Sequence, residues 1–160
     1  MKKKSGEHPF GDIGQMILLG LFLVVWVVDS FFLGISTFLS DYVPIYIRLV
    51  IMCFVLVTAV YLVRSGHVAV DHEQHPTSIV STGAFRYVRH PLYLGSILFY
   101  LGLSVSTASL FSLVLLVVIF IFYNYIASFE EKLLDDRFGE DYRKYKKRTG
   151  KWLPGIGGGS

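Results

Sequence analysis

Residues 83–93 read GAFRYVRHPLY, and this stretch divides a polar segment from an apolar one at a single Arg-His-Pro step. Arg89 and His90 bring cationic and hydrogen-bonding groups, and Pro91 fixes φ and suits the first position of a helix. From Leu92 onward the chain is apolar enough for a bilayer. A helix is therefore expected to begin at Pro91 with its N-terminus at the membrane surface, where unsatisfied N–H groups and basic side chains favour an anionic ligand group. Arg and Pro at a helix start also serve as plain surface anchors, so the step alone does not separate a binding site from an anchor.

Working outward, Leu92 to Val105 is a short apolar segment, Ser106 to Ser109 a small-residue turn, and Leu110 to Phe129 a spanning run without charge. Together, residues 92–129 form a helical hairpin. Because its first arm is short, the Arg-His-Pro step is drawn into the headgroup zone. Before the step, residues 64–91 make a polar connector. Its cluster Asp71 to His75 (DHEQH) has metal-capable side chains, but beside Pro76 it reads as a solvated loop, and no metal is expected. Residues 1–63 are a second hairpin, with 20-residue spans at Gly14 to Leu33 and Pro44 to Val63. The first is read as a retained helix rather than a cleaved signal, since no small-residue cleavage pattern follows it. Asp29 ends one span and Arg48 begins the next, so the two are expected to pair.

The whole composition agrees with a membrane protein. Of 160 residues 53% are hydrophobic, and the mean hydropathy is +0.55, which a soluble domain of this size rarely reaches. A lone cysteine, Cys53, excludes a disulfide framework and a thiolate metal site. The fold expected is all-α: a polytopic membrane bundle of about four transmembrane helices with an amphipathic C-terminal helix, forming one domain over residues 1–160. Charge then orients it. Of the 15 basic residues only Arg48 falls toward one side, which places both termini, the Arg-His-Pro step and the tail in the cytoplasm.

The tail, residues 130–154, carries dense charge of both signs. Glu130, Leu134, Phe138, Tyr142 and Tyr145 recur at spacings of four, four, four and three, so Glu130 is expected on the inward face of one helix. Glu131 and Asp135 fall on a neighbouring stripe that can face water, and Lys146 on the solvated side. An interfacial amphipathic helix accounts for the tail without any site.

The stretch from Gly83 to Tyr93 is followed, after an apolar hairpin, by Glu130-Glu131, Phe138-Gly139, Tyr142, Tyr145 and Leu153-Pro154. In this order it resembles the isoprenylcysteine carboxyl methyltransferase family and its phospholipid-methylating relatives. The resemblance covers residues 81–154, and the first two spans carry none of it. Lys151-Trp152 stand where the family pattern has Arg before an aromatic or aliphatic residue, and the apolar run ahead of Glu130 lacks an Arg. Both departures bear on the substrate rather than on the cofactor.

What the resemblance implies is an integral membrane methyltransferase that uses S-adenosylmethionine on a lipophilic or lipid-modified acceptor, with membrane lipid as a further partner and no nucleic acid. Under it Arg89, His90 and Glu130 are the catalytic candidates. Arg89, His90 and the helix start at Pro91 would hold the cofactor's carboxylate, Glu130 and Glu131 its cationic groups, and Tyr93, with Tyr100, Tyr123 and Tyr125, would offer ring faces. Arg89 would keep His90 neutral by like-charge repulsion. A glycine fingerprint for a nucleotide on a parallel sheet is absent. Two rival classes share parts of the pattern, a nicotinamide-dependent membrane reductase of the sterol reductase type and a non-catalytic membrane subunit. From Leu92 to Phe129 there is no Lys, Arg or His, so a neutral acceptor is expected there, and an anionic one would have to reach Arg86 or Arg89.

Overall fold

A computed structural model describes residues 11–72 and 79–155. Five α-helices account for most of them: α1 (Gly11–Val27), α2 (Ile45–His72), α3 (Pro91–Thr107), α4 (Leu110–Phe138) and α5 (Glu140–Arg148). Three segments are long and apolar enough to cross a membrane, Gly11–Leu33, Ile45–Asp71 and Leu110–Phe138. The fourth apolar helix, α3, has 17 residues and reaches about 26 Å, short of a hydrocarbon core of about 30 Å. The twenty residues of α4 that precede Glu130 also cover about 30 Å. Since α3 ends and α4 begins at the turn Ala108–Ser109, the start of α3 and Glu130 come to similar depth at the same end of the bundle.

At the opposite end the chain is tied by Asp29, which is only 2% exposed. It lies in a wide helical turn, Val28–Leu33, that continues α1 and stops at Gly34 in the left-handed region, φ 63°. Its carboxylate accepts bonds from Ser36 N at 3.0 Å, Ser36 Oγ at 2.5 Å and Ser109 Oγ at 2.6 Å. Those two serines in turn receive Leu110 N, Phe111 N and Ser112 N, the first N–H groups of α4. Arg48 instead donates to the carbonyls of Val43 and Ser106, each at 3.0 Å. The expected Asp29–Arg48 pair does not form. Each charge is taken by a helix end of matching sign, the anion at the N-terminus of α4 and the cation at the last turn of α3.

Helix α2 runs past Val63 through Arg64 and His67 to His72, well into the stretch expected as connector. Helices α2 and α3 lie close because glycines face the contact. A Cβ on Gly95 would stand 2.6 Å from Val63 Cγ2 and 3.0 Å from the carbonyl oxygen of Ala59, and one on Gly66 would stand 2.9 Å from Leu92 Cδ2. Close backbone approach of this kind substitutes for the hydrophobic drive that lipid does not supply. The interior between α1, α3 and α4 is filled by Phe22, Ile97, Tyr100, Leu116, Ile119 and Tyr123, while apolar residues such as Phe54, Val57 and Val114 point outward, 66–75% exposed. The tail is not one helix. Gly139, at φ 51° and ψ −121°, breaks it into the end of α4 and the separate α5.

Candidate active site

His90 caps α3 with non-helical backbone angles, φ −126° and ψ 62°, and Pro91 follows at the first helical position, where its missing N–H costs nothing. The preceding residues are held by the tail, through a parallel bridge between Val88 and Gly150 and a bond from Arg89 N to Gly150 O at 2.9 Å. The Arg89 side chain donates to Glu131 Oε1 at 2.9 Å from Nε, and to the carbonyls of Thr149 at 2.5 Å and Lys146 at 3.2 Å from Nη1. Glu131 Oε1 also lies 3.3 Å from His90 Nε2, and its other oxygen 3.4 Å from Lys146 Nζ. Tyr145 donates to Phe85 O at 2.7 Å, fixing α5 against the loop before the step.

One expectation is corrected here. Glu131, assigned to a water-facing stripe, is buried at 7% exposure and forms the hub of the cluster. Lys146 is exposed, as expected of the solvated side, and its ammonium still reaches Glu131. The helical face was extrapolated from Tyr142 and Tyr145 back to Glu130 as though the tail were continuous, and the break at Gly139 resets that phase. Glu130 is less buried and makes different contacts. Tyr93 donates its hydroxyl to Glu130 Oε1 at 2.5 Å, and His90 Nδ1 lies 3.7 Å from Glu130 Oε2.

Burial pushes the His90 imidazole below its ordinary pKa, with the charges of Lys151 and Arg89 acting the same way and Glu131 opposing. The ring is therefore neutral at neutral pH, mainly because it is desolvated and only secondarily because of Arg89. Burial likewise raises the phenols of Tyr142 and Tyr145 well above the usual tyrosine range.

A second polar knot ties the tail to α4. Lys151 Nζ donates to Asn124 Oδ1 and Ser128 Oγ, both at 2.8 Å, and Trp152 Nε1 donates to Asn124 Oδ1 at 3.1 Å. The Trp152 ring stands 5.9 Å from the His90 ring and 5.5 Å from Phe120. Sequence reasoning singled out Lys151 and Trp152 as a departure but missed Asn124 and Ser128. The available signal was their spacing of four in an otherwise apolar helix.

Two cavities meet at this end of the bundle. The first, about 610 Å³, is lined by Arg89, His90, Pro91, Tyr93 and Glu130, with Asp12 and Gln15 added from α1. Glu131 is not among its walls; it holds Arg89 and His90 from behind. The second, about 690 Å³, lies between α1, α2 and α3 and is walled by Leu19, Val60, Phe99 and Tyr100, with Arg64 and Asp12 as its charged residues. Asp12, Gln15, Val63 and Ser96 belong to both. Asp12 and Gln15 carried no signal in the sequence beyond lying at the start of an apolar run. Arg86 lines neither cavity. Tyr100 and Tyr123 are buried in the core and Tyr125 is exposed. Of the Asp71 to His75 cluster, residues 73–75 lie outside the described residues, and among the described residues no three His, Cys, Asp or Glu side chains are grouped as for a metal.

The chain is 34% identical over 85 residues to methanethiol S-methyltransferase 1 of Bradyrhizobium diazoefficiens, covering 53% of this chain and 29% of that protein. It is 28% identical over 159 residues to methanethiol S-methyltransferase of Crocosphaera subtropica, covering 94% of this chain and 54% of that one. Protein-S-isoprenylcysteine O-methyltransferase of Schizosaccharomyces pombe is 28% identical over 92 residues, 57% of this chain and 39% of its own. The chain thus spans about half, or less, of the length of these curated relatives. No solved structure matches it. Residues 42–141 match the family description "phospholipid methyltransferase". As that match takes in α2, the Arg-His-Pro step and both glutamates, well over half of the sequence, the chain belongs to the phospholipid methyltransferase family.

Proposed function

We propose that the protein is an S-adenosylmethionine-dependent membrane methyltransferase that acts on a lipophilic acceptor, with its site and both termini in the cytoplasm. The observation that carries this is the junction of a charged cavity under the start of α3 with an apolar cavity between the spanning helices. Methyltransferase activity is named for the relatives; the donor and acceptor proposed for this chain rest on the chemistry of the two walls.

The residues fit the cofactor. A volume of about 610 Å³ lies within the range of about 300–1,000 Å³ that holds ligands of this size. Arg89, His90 and the first N–H groups of α3 suit a carboxylate. Asp12 suits an ammonium, and Glu130, with the Tyr93 ring beside it, suits a sulfonium. When bound, the cofactor supplies an electrophilic methyl group. The chain's own contribution is alignment and exclusion of water: Glu131 locks Arg89 in place, the neutral His90 adds a donor without adding charge, and the Lys151-Trp152 strap packs the Trp152 ring beside His90.

Calorimetry on the detergent-purified chain tests the proposal. It should bind S-adenosylhomocysteine, and Arg89→Ala should weaken that binding by about 1.5 to 3 kcal/mol, the loss expected for a charge-assisted contact. Binding of a reduced nicotinamide instead would assign the chain to the reductase class, and binding of neither would leave a non-catalytic subunit.

A further inference from the structure

The last turn of α5 carries more positive charge than the fold uses. From Glu140 to Lys151 there are six basic residues against two acidic ones. Arg143 bonds Asp135 and Glu140, Lys144 lies 3.6 Å from Asp141, Lys146 reaches Glu131, and Lys151 is held by Asn124 and Ser128. Lys147 and Arg148 are left over: both are exposed, and among the described residues no acidic side chain pairs with either. The neighbouring loop adds to them. It is tied to the same turn at both ends, by the bond from Tyr145 to Phe85 O and by the bridge between Val88 and Gly150, and between those ties Arg86 and Tyr87 are exposed. Leu153, just past the bridge, is 77% exposed.

We propose that Arg86, Lys147 and Arg148 form a docking surface for anionic phospholipid headgroups of the leaflet at this end of the bundle, and that docking tightens the cofactor site. Depth and charge select this partner. The loop leads directly into Arg89, His90 and the start of α3, where the short helix meets the headgroup zone. Cations beside an exposed tyrosine and an exposed leucine at that level complement a negatively charged lipid surface. The acidic residues of α5 do not cancel them, because Glu140 and Asp141 lie in its first turn and are paired with Arg143 and Lys144.

The link to the site is the backbone of the same turn. The carbonyls of Lys146 and Thr149, which flank Lys147 and Arg148, accept from Arg89 Nη1, and Gly150 O accepts from Arg89 N. Arg89 in turn lines the charged cavity. This half of the inference rests on the methyltransferase reading above, in which Arg89 faces the carboxylate of the cofactor. A membrane that binds the strap better when it is clasped than when it is loose shifts it toward the clasped state. Lipid and cofactor then favour one another, each raising the affinity for the other by the same factor.

The test uses the full chain in nanodiscs of phosphatidylcholine, alone or mixed with phosphatidylglycerol. Calorimetry gives the S-adenosylhomocysteine affinity, and an environment-sensitive dye on Leu153→Cys, in a Cys53→Ala background, reports docking without any cofactor. In the mixed membrane wild type should bind S-adenosylhomocysteine about fivefold more tightly, the effect of about one basic residue at such a surface. High salt should abolish the gain, and the dye should respond to phosphatidylglycerol. The combined variant Arg86→Gln, Lys147→Gln, Arg148→Gln should lose both responses. In phosphatidylcholine alone it should bind S-adenosylhomocysteine within about twofold of wild type, as expected of exposed substitutions in an intact fold. Lys132→Gln with Lys144→Gln removes two exposed charges elsewhere at this end and should keep most of both responses. Wild-type affinity that is the same in both membranes would overturn the proposal, whether or not the dye responds. An equal loss in the Lys132 and Lys144 variant would also overturn it, making the effect a general surface potential, as would inorganic phosphate that reproduces the gain in phosphatidylcholine. Wild type that binds no S-adenosylhomocysteine in either membrane would instead bring down the cofactor reading, and the dye would still decide whether the surface docks.

Discussion

Glu130 and Glu131 are neighbours in the chain, yet a step of about 100° around the helix gives them separate surroundings. One meets Tyr93 and the cavity; the other is enclosed by Arg89, His90 and Lys146. The sequence identified the pair but not which member is buried, because that depends on where α4 stops and α5 turns away at Gly139. For His90 the sequence did reveal the neutral state, though burial outweighs the neighbouring Arg89 as its cause. A testable pH dependence follows. Burial lowers the folded-state pKa below the unfolded value of about 6.5, so as pH falls through that value the unfolded chain takes up a proton before the folded one does, and stability drops. The thermal midpoint in detergent should therefore fall between pH 7.5 and 5.5 in wild type, and by less in His90→Gln. An equal fall in both would assign the pH dependence to other groups.

Among the elements, the ends of helices were easier to find than their partners. Pro91 and the small-residue turn at Ser106 to Ser109 mark α3 correctly to within two residues, since proline and small polar residues act through local backbone chemistry. The pairing of Asp29 with Arg48 failed because each charge found a helix terminus, and termini of other helices are invisible to a rule about neighbouring spans. The α2–α3 contact was also illegible, as glycines look alike in a sequence whether they face lipid or a neighbour. Gly95→Val should push the two helices apart, since the new Cβ meets Val63 and the Ala59 carbonyl, at a cost of about 1 to 3 kcal/mol. Gly20→Ala, with nothing within 4 Å of the added carbon, should be neutral or stabilise by up to about 1 kcal/mol through helix propensity. Thermal melts of the two variants beside wild type check both signs; a Gly95→Val protein as stable as wild type would mean that the helices can part without loss.

At the scale of the molecule, the charge count and the two cavities make a joint demand on topology. The start of α3 and Glu130 share one end of the bundle, and Arg48 lies toward the other. Reporter fusions at Ser40 and Thr107 should therefore signal the non-cytoplasmic side, and one after the tail the cytoplasm. A tail reporter on the far side would separate the proposed site from a cytoplasmic supply of cofactor. The class of fold was legible because apolar length and basic asymmetry are summed properties, whereas the cavity walls supplied by Asp12 and Gln15 depend on how α1 leans on its neighbours. The clasp between Val88 and Gly150 also sets an order of events during synthesis. The apolar helices α1 to α4 are made, and can enter the bilayer, before the ribosome reaches the strap that holds Arg89 and faces Trp152 toward His90. Those helices can thus be in place while Arg89 still lacks the carbonyls of Lys146 and Thr149, so that arrival of the strap, rather than insertion of α4, completes the cluster around it.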